Sequence, residues 1–216
     1  MVNVSPRRVL ALHSKLLVGL VGLDGDVQTI AQELSTHVAS KANRESGGLA
    51  VPPTRGIDED STRRRQRRIS PGAMASLTSH VLYSKRAAPF YCEPLIVGLD
   101  RSVEDRKISP IPPKKREKDD IETNRQTYRP FICSMDMLGA KMVSRSFACT
   151  GAASKSMYGT AEAMWRPDMN PDELVRVCGR AFLSALERDC LSGYGAVIYL
   201  ITKDGVMEYD LVSRSD

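Results

Sequence analysis

Two stretches of this chain resist burial, and they constrain what the rest can become. Residues 45–72 carry six arginines and four acidic residues, with Gly47-Gly48, Pro52-Pro53 and the run Arg63-Arg64-Arg65-Gln66-Arg67-Arg68. Residues 101–129 carry nine basic and six acidic residues around Pro110, Pro112-Pro113 and Lys114-Lys115-Arg116. Ordering a residue costs ~1–2 kcal/mol, and segments this polar have little apolar surface to offset it. Both are expected as inserted surface loops. The chain left over is long enough for one compact core, so a single domain over residues 1–216 with two charged inserts is expected.

The same two segments locate the charge. The net charge is +5, and outside the inserts 16 basic residues balance 16 acidic ones. A globally basic nucleic-acid-binding body is therefore disfavoured. No aromatic residue interleaves the arginines at 63–68 to stack on bases, so the run reads first as a solvated loop and second as a nuclear-import signal. Arg67-Arg68-Ile69-Ser70-Pro71 also has the form of a kinase site at Ser70. No apolar run reaches the ~18 residues of a membrane span. Residues 9–23 are apolar enough to suggest a signal peptide, but His13, Ser14 and Lys15 break the run and Asp24-Gly25-Asp26 follows it. The five cysteines include no Cys-x-x-Cys pair and sit among apolar neighbours, which suits reduced core thiols.

Between the inserts the patterning alternates. Residues 8–12 and 16–22 read as short buried strands. Asp24 is placed to cap a helix carrying Val27, Ile30, Ala31, Leu34 and Val38 on one face. A second helix is expected over 75–86, and strands over 94–100, 129–136 and 142–150. A third helix spans 154–165. Asn170-Pro171-Asp172-Glu173 is a helix start with a cap, a first-position proline and an acidic first turn. Leu174, Cys178, Ala181, Phe182, Ala185 and Leu186 are that helix's expected buried face. Two last strands flank the turn Lys203-Asp204-Gly205, the second with one wet face. Strands, two helices, strands, two helices, strands make an α+β order, with two sheets stacked between helix layers.

Chemistry is sparse. There is no phosphate-binding glycine loop, no Gly-x-Ser-x-Gly elbow and no His-Glu-x-x-His. His13, His37 and His80 form no partner pattern, and no metal or cofactor is called for. Two junctions stand out: Thr150-Gly151-Ala152 leading to Met157-Tyr158-Gly159, and Arg188-Asp189 leading to Ser192-Gly193. Taken alone, the second is a helix ending in a glycine cap.

Together these stretches resemble the proteasome beta subunit family. The resemblance also runs through Leu16 to Leu23, Asp26-Val27-Gln28-Thr29, Leu82-Tyr83-Ser84-Lys85-Arg86, Glu93-Pro94, Val97-Gly98-Leu99-Asp100, Pro130-Phe131-Ile132, Asp136 and Gly139. The Glu-Pro strand, the Asp-Met-Leu-Gly turn and the terminal Asp216 are most similar to its non-catalytic type 3 branch.

The resemblance implies a four-layer αββα sandwich of the Ntn-hydrolase type. The family's catalytic members cleave peptide bonds with an amino-terminal threonine. Here the opening strands that would carry that threonine and its lysine are missing, so the fold is read as amino-terminally incomplete, with a true start upstream. Asp189, Ser192 and Gly193 match residues around the family's active site and are read as vestigial, while Ala152 replaces a supporting serine. The implied function is that of a structural, non-catalytic subunit of the core particle in ubiquitin-dependent degradation. The alternative is an active threonine endopeptidase whose amino terminus is absent from this sequence. The implied partners are the other alpha and beta subunits in stacked rings and unfolded polypeptide substrate, in cytoplasm and nucleus, with no membrane. Asp136, Met137, Gly139, Ala140 and Met142 match the stretch that lines the pocket of a neighbouring catalytic subunit with trypsin-like preference. Asp136 is equally readable as a plain turn residue.

Overall fold

The computed structural model describes residues 8–45, 69–101, 128–189 and 195–211. Most of both charged inserts, together with Ser192, Gly193 and Asp216, lies outside the described residues.

Five antiparallel strands form the larger sheet in the order β1-β2-β3-β4-β5: Val9–His13, Leu16–Gly22, Cys92–Arg101, Tyr128–Met135 and Lys141–Ser144. Strand alternation explains the core. Leu16, Val18 and Leu20 point to one face, and their neighbours Cys92, Ile96, Cys133 and Met135 point the same way. Two helices cover that face: α1 (Asp24–Glu45) and α2 (Pro71–Ser84). On α1, Ile30 and Leu34 are fully buried, with Val27, Ala31 and Val38 packed beside them, which is the face read from the sequence. Each such large aliphatic side chain contributes about 1.5–3 kcal/mol by leaving water. Asp24 is not the cap. The Leu23 carbonyl takes the first helical bond from Val27, and Asp24 lies inside the first turn, 3.3 Å from Arg8. There its charge still suits the helix dipole.

The second helix starts earlier than expected. α2 begins at Pro71 rather than near residue 75, because Ser70 caps it: Ala73 N–H donates to Ser70 Oγ at 3.2 Å, and proline occupies the first helical position. Ile69 packs on the core, and its carbonyl lies 3.1 Å from His13 Nε2. Lys15 N–H donates to His13 Nδ1, which leaves the Nε2 proton for Ile69. Gly98 lets this junction close. A Cβ there would stand 2.7 Å from the Lys15 carbonyl and 2.9 Å from the Pro71 ring.

Strand β5 stops at Ser144, not near residue 150. Ser146 N–H turns back to Ser144 Oγ at 3.3 Å, a local bond that competes with the strand ladder. The chain then carries Phe147 to within 6.0 Å of the Tyr158 ring and 6.4 Å of Trp165.

The carboxy-terminal half supplies α3 (Ser154–Met164), α4 (Pro171–Leu186) and a two-stranded ribbon, β6 (Ala196–Ile201) with β7 (Val206–Leu211). Its turn is tied by Thr202, whose N–H and hydroxyl both donate to the Gly205 carbonyl. Small residues form the seam under α4. Thr160 Oγ1 on α3 donates to the Ala181 carbonyl at 3.2 Å, and Gly179 faces Ile198 and Leu211. The expected apolar stripe of α4 is unevenly covered. Ala181 and Ala185 are buried, while Leu174 and Cys178, on the same side nearer the start, are exposed. The helix outruns its cover. On β7 the expected dry face is also incomplete, since Met207 is 44 % exposed.

Candidate functional site

The turn joining β4 to β5 is the best-defined of the sequence-predicted sites. Met135 pairs with Lys141, and the five residues between them form a closed loop. Asp136 organises it from within. Its Oδ1 accepts from Leu138 N–H at 2.9 Å and from Ala140 N–H at 2.8 Å, and its carbonyl accepts from Gly139 N–H at 3.0 Å. An aspartate side chain that satisfies two backbone donors fixes a turn in the way a backbone carbonyl would. Asp136 is therefore a turn residue in this structure. It is also exposed, with one carboxylate oxygen free of these bonds, so the charge stays available at the surface.

The other predicted members of this site stand around it. Met137 is 37 % exposed and Met142 57 % exposed, Ala140 is exposed, and Gly139 is buried. Lys141 and Val143 on β5 are also open to solvent. The arrangement is a protruding loop with one carboxylate flanked by two methionines.

Three residues of this site carry no motif. Ser79 on α2 donates to the Gly139 carbonyl at 2.7 Å, and Lys141 Nζ donates to Ser76 Oγ at 3.3 Å. Their partners lie 60 and 65 residues away in the chain. Serines three apart on a helix are ordinary in a sequence, and no local signal announces that they face a loop.

The predicted vestigial cluster is placed only in part. Asp189 lies just beyond α4, with its N–H on the Leu186 carbonyl at 3.0 Å, and is half-buried. Ser192 and Gly193 lie outside the described residues. Gly151 and Ala152 turn the chain ahead of α3, with Gly151 against Val21 of β2. Among the described residues no group of three or more His, Cys, Asp or Glu is spaced to hold a metal ion. No helix among them is long and apolar enough to cross a membrane.

Burial governs the cysteines. Cys92 is pushed up to about 11 by desolvation, with Asp26 and Glu93 adding to the rise and a backbone contact at Val21 opposing it. Burial likewise raises Cys133 and Cys149. None of these three is an activated nucleophile.

This mixed helix–sheet domain with a carboxylate-organised loop is similar to known proteins: the model of the family described as "Proteasome subunit" matches residues 124–201. Over 97 % of its length the chain is 35 % identical to proteasome subunit beta type-3 of Picea mariana, covering 81 % of that protein. It is 36 % identical to proteasome subunit beta type-3-B of Arabidopsis thaliana and 34 % identical to proteasome subunit beta type-3 of Oryza sativa subsp. japonica, over the same shares. The chain belongs to the proteasome subunit family, with the beta type-3 subunits.

Proposed function

We propose that this chain is a non-catalytic, structural beta subunit of the proteasome core particle. It supports ring assembly and lines the substrate pocket of a neighbouring catalytic subunit during ubiquitin-dependent protein degradation. The observation that carries this reading is similarity to beta type-3 subunits along 97 % of the chain. Its partners are the other alpha and beta subunits, with unfolded polypeptide as the particle's substrate, in cytoplasm and nucleus. The chain is one domain with two inserts. Its four layers run α1 and α2, the five-stranded sheet, the β6–β7 ribbon, then α3 and α4. The packing of α1 and α2 on the five-stranded sheet, of α4 on β6 and of α3 on α4 supports that layering. The uncovered start of α4, with Leu174 and Cys178 exposed, supports α4 as a subunit contact.

Size-exclusion chromatography with mass spectrometry of the tagged protein from its own cells tests the assignment. Co-migration with a multi-subunit particle is expected, and recovery of the chain alone would overturn it. An electrophile that traps terminal threonine hydroxyls should label other subunits of that particle and leave this chain unmodified.

The pocket role rests on the free charge of Asp136. Its carboxylate would stand opposite a basic peptide side chain, an attraction that lowers KM more than it changes chemistry. Asp136→Asn keeps the oxygen that accepts from Leu138 and Ala140 and removes only the charge. In assembled particles it should raise KM for peptides cut after Arg or Lys and spare cleavage after apolar or acidic residues. Unchanged kinetics after basic residues would remove the pocket role.

A further inference from the structure

We infer that helix α2 sets how the Asp136 turn is presented, through Ser79, which makes Ser79 a positioning residue for cleavage after basic residues by the adjacent subunit. The inference deepens the pocket reading proposed above and rests on it. The turn is held from two sides. Asp136 closes it internally through Leu138, Gly139 and Ala140, which fixes its shape but not its tilt. The tilt comes from outside. Ser79 Oγ donates to the Gly139 carbonyl at 2.7 Å, and the helix backbone presses directly against the turn, since a Cβ on Gly139 would stand 2.6 Å from the Ser79 carbonyl.

One turn earlier, Ser76 Oγ accepts from Lys141 Nζ at 3.3 Å, at the first residue of β5. Serines three apart lie on one helix face, so α2 grips both ends of the segment that carries Ala140. The Ser79 contact is half-buried and short, while the Lys141 contact is exposed and long, so Ser79 carries the positioning. The exposed carboxylate and Met137 belong to the same short loop whose Gly139 carbonyl is clamped to the helix. Releasing the clamp lets the loop rock without unmaking its internal bonds. A recognition group displaced by a fraction of an ångström loses binding to its ligand while the distant nucleophile is untouched.

The experiment compares purified particles carrying Ser79→Ala, Ser79→Thr and Asp136→Asn, each assayed on peptides with a basic, an apolar or an acidic residue before the scissile bond. Ser79→Ala should raise KM for the basic peptide by about fivefold, the loss expected for one hydrogen bond, with kcat and the other two activities unchanged. Ser79→Thr, which restores a hydroxyl, should return KM toward the parent value. An unchanged basic-peptide KM for Ser79→Ala, alongside a raised KM for Asp136→Asn, overturns the positioning role and leaves the pocket reading standing. No effect of Asp136→Asn overturns the pocket reading itself. Equal loss of all three activities in Ser79→Ala, or failure of Thr to rescue, makes the contact structural only and also overturns the inference.

Discussion

Ser70 stands just before the first turn of α2, and its hydroxyl caps the helix on Ala73 N–H. Ser70→Ala should cost about 1 kcal/mol of stability in urea unfolding, and Ser70→Asp should recover most of it, because a carboxylate caps as well and suits the dipole. No acidic residue occupies the first turn of α2, so a negative charge at Ser70 meets no repulsion there. Cys92 gives a second test at this scale. Its folded value near 11 lies above the ordinary 9.0, so the unfolded thiol loses its proton first as pH rises. Stability from this group is whole below about pH 9 and drains away between pH 9.0 and about 11. Cys92→Ala should flatten that part of the pH–stability curve. Cys92 should also resist thiol alkylation at neutral pH until the chain unfolds.

At the scale of elements, α2 does three tasks. It fills the core with Met74, Ala75, Val81 and Leu82, fixes its own start through the Ser70 cap, and clamps the Asp136 turn through Ser79. Only the first was legible, because burial leaves an apolar period in the sequence and a single serine contact leaves none. Gly139 shows why the clamp tolerates little change. Its φ of +83° favours glycine, and its Cα faces helix backbone. Gly139→Ala should destabilise the fold by roughly 2–4 kcal/mol, from backbone strain plus overpacking. Gly139→Asn, which accepts left-handed backbone, should cost about as much if contact with Ser79 dominates. Thermal unfolding of both variants separates the two causes. On α1, Leu34 is wholly enclosed, and Leu34→Ala should cost about 2–5 kcal/mol.

For the whole molecule, burial is uneven. The helix-covered face of the large sheet is a dry core, but the edge strand β5 exposes Met142 and Val143, and the β6–β7 ribbon exposes Val197 and Met207. A two-stranded ribbon is marginal by itself, and an apolar edge strand invites pairing with another chain. The isolated chain should self-associate in sedimentation velocity, and Val143→Lys should raise the monomer fraction without altering far-ultraviolet circular dichroism. The amino-acid sequence by itself determined the family, the order of strands and helices, and the core faces of β2 and α1. These follow from local period and motif, both of which read along the chain. Tertiary structure alone decided that Asp136 spends one oxygen on its own turn, that Ser79 grips Gly139 across 60 residues, and that Leu174 and Cys178 of the α4 stripe stay exposed. Each of these depends on which distant segment arrives opposite a side chain, and periodicity carries no record of that meeting.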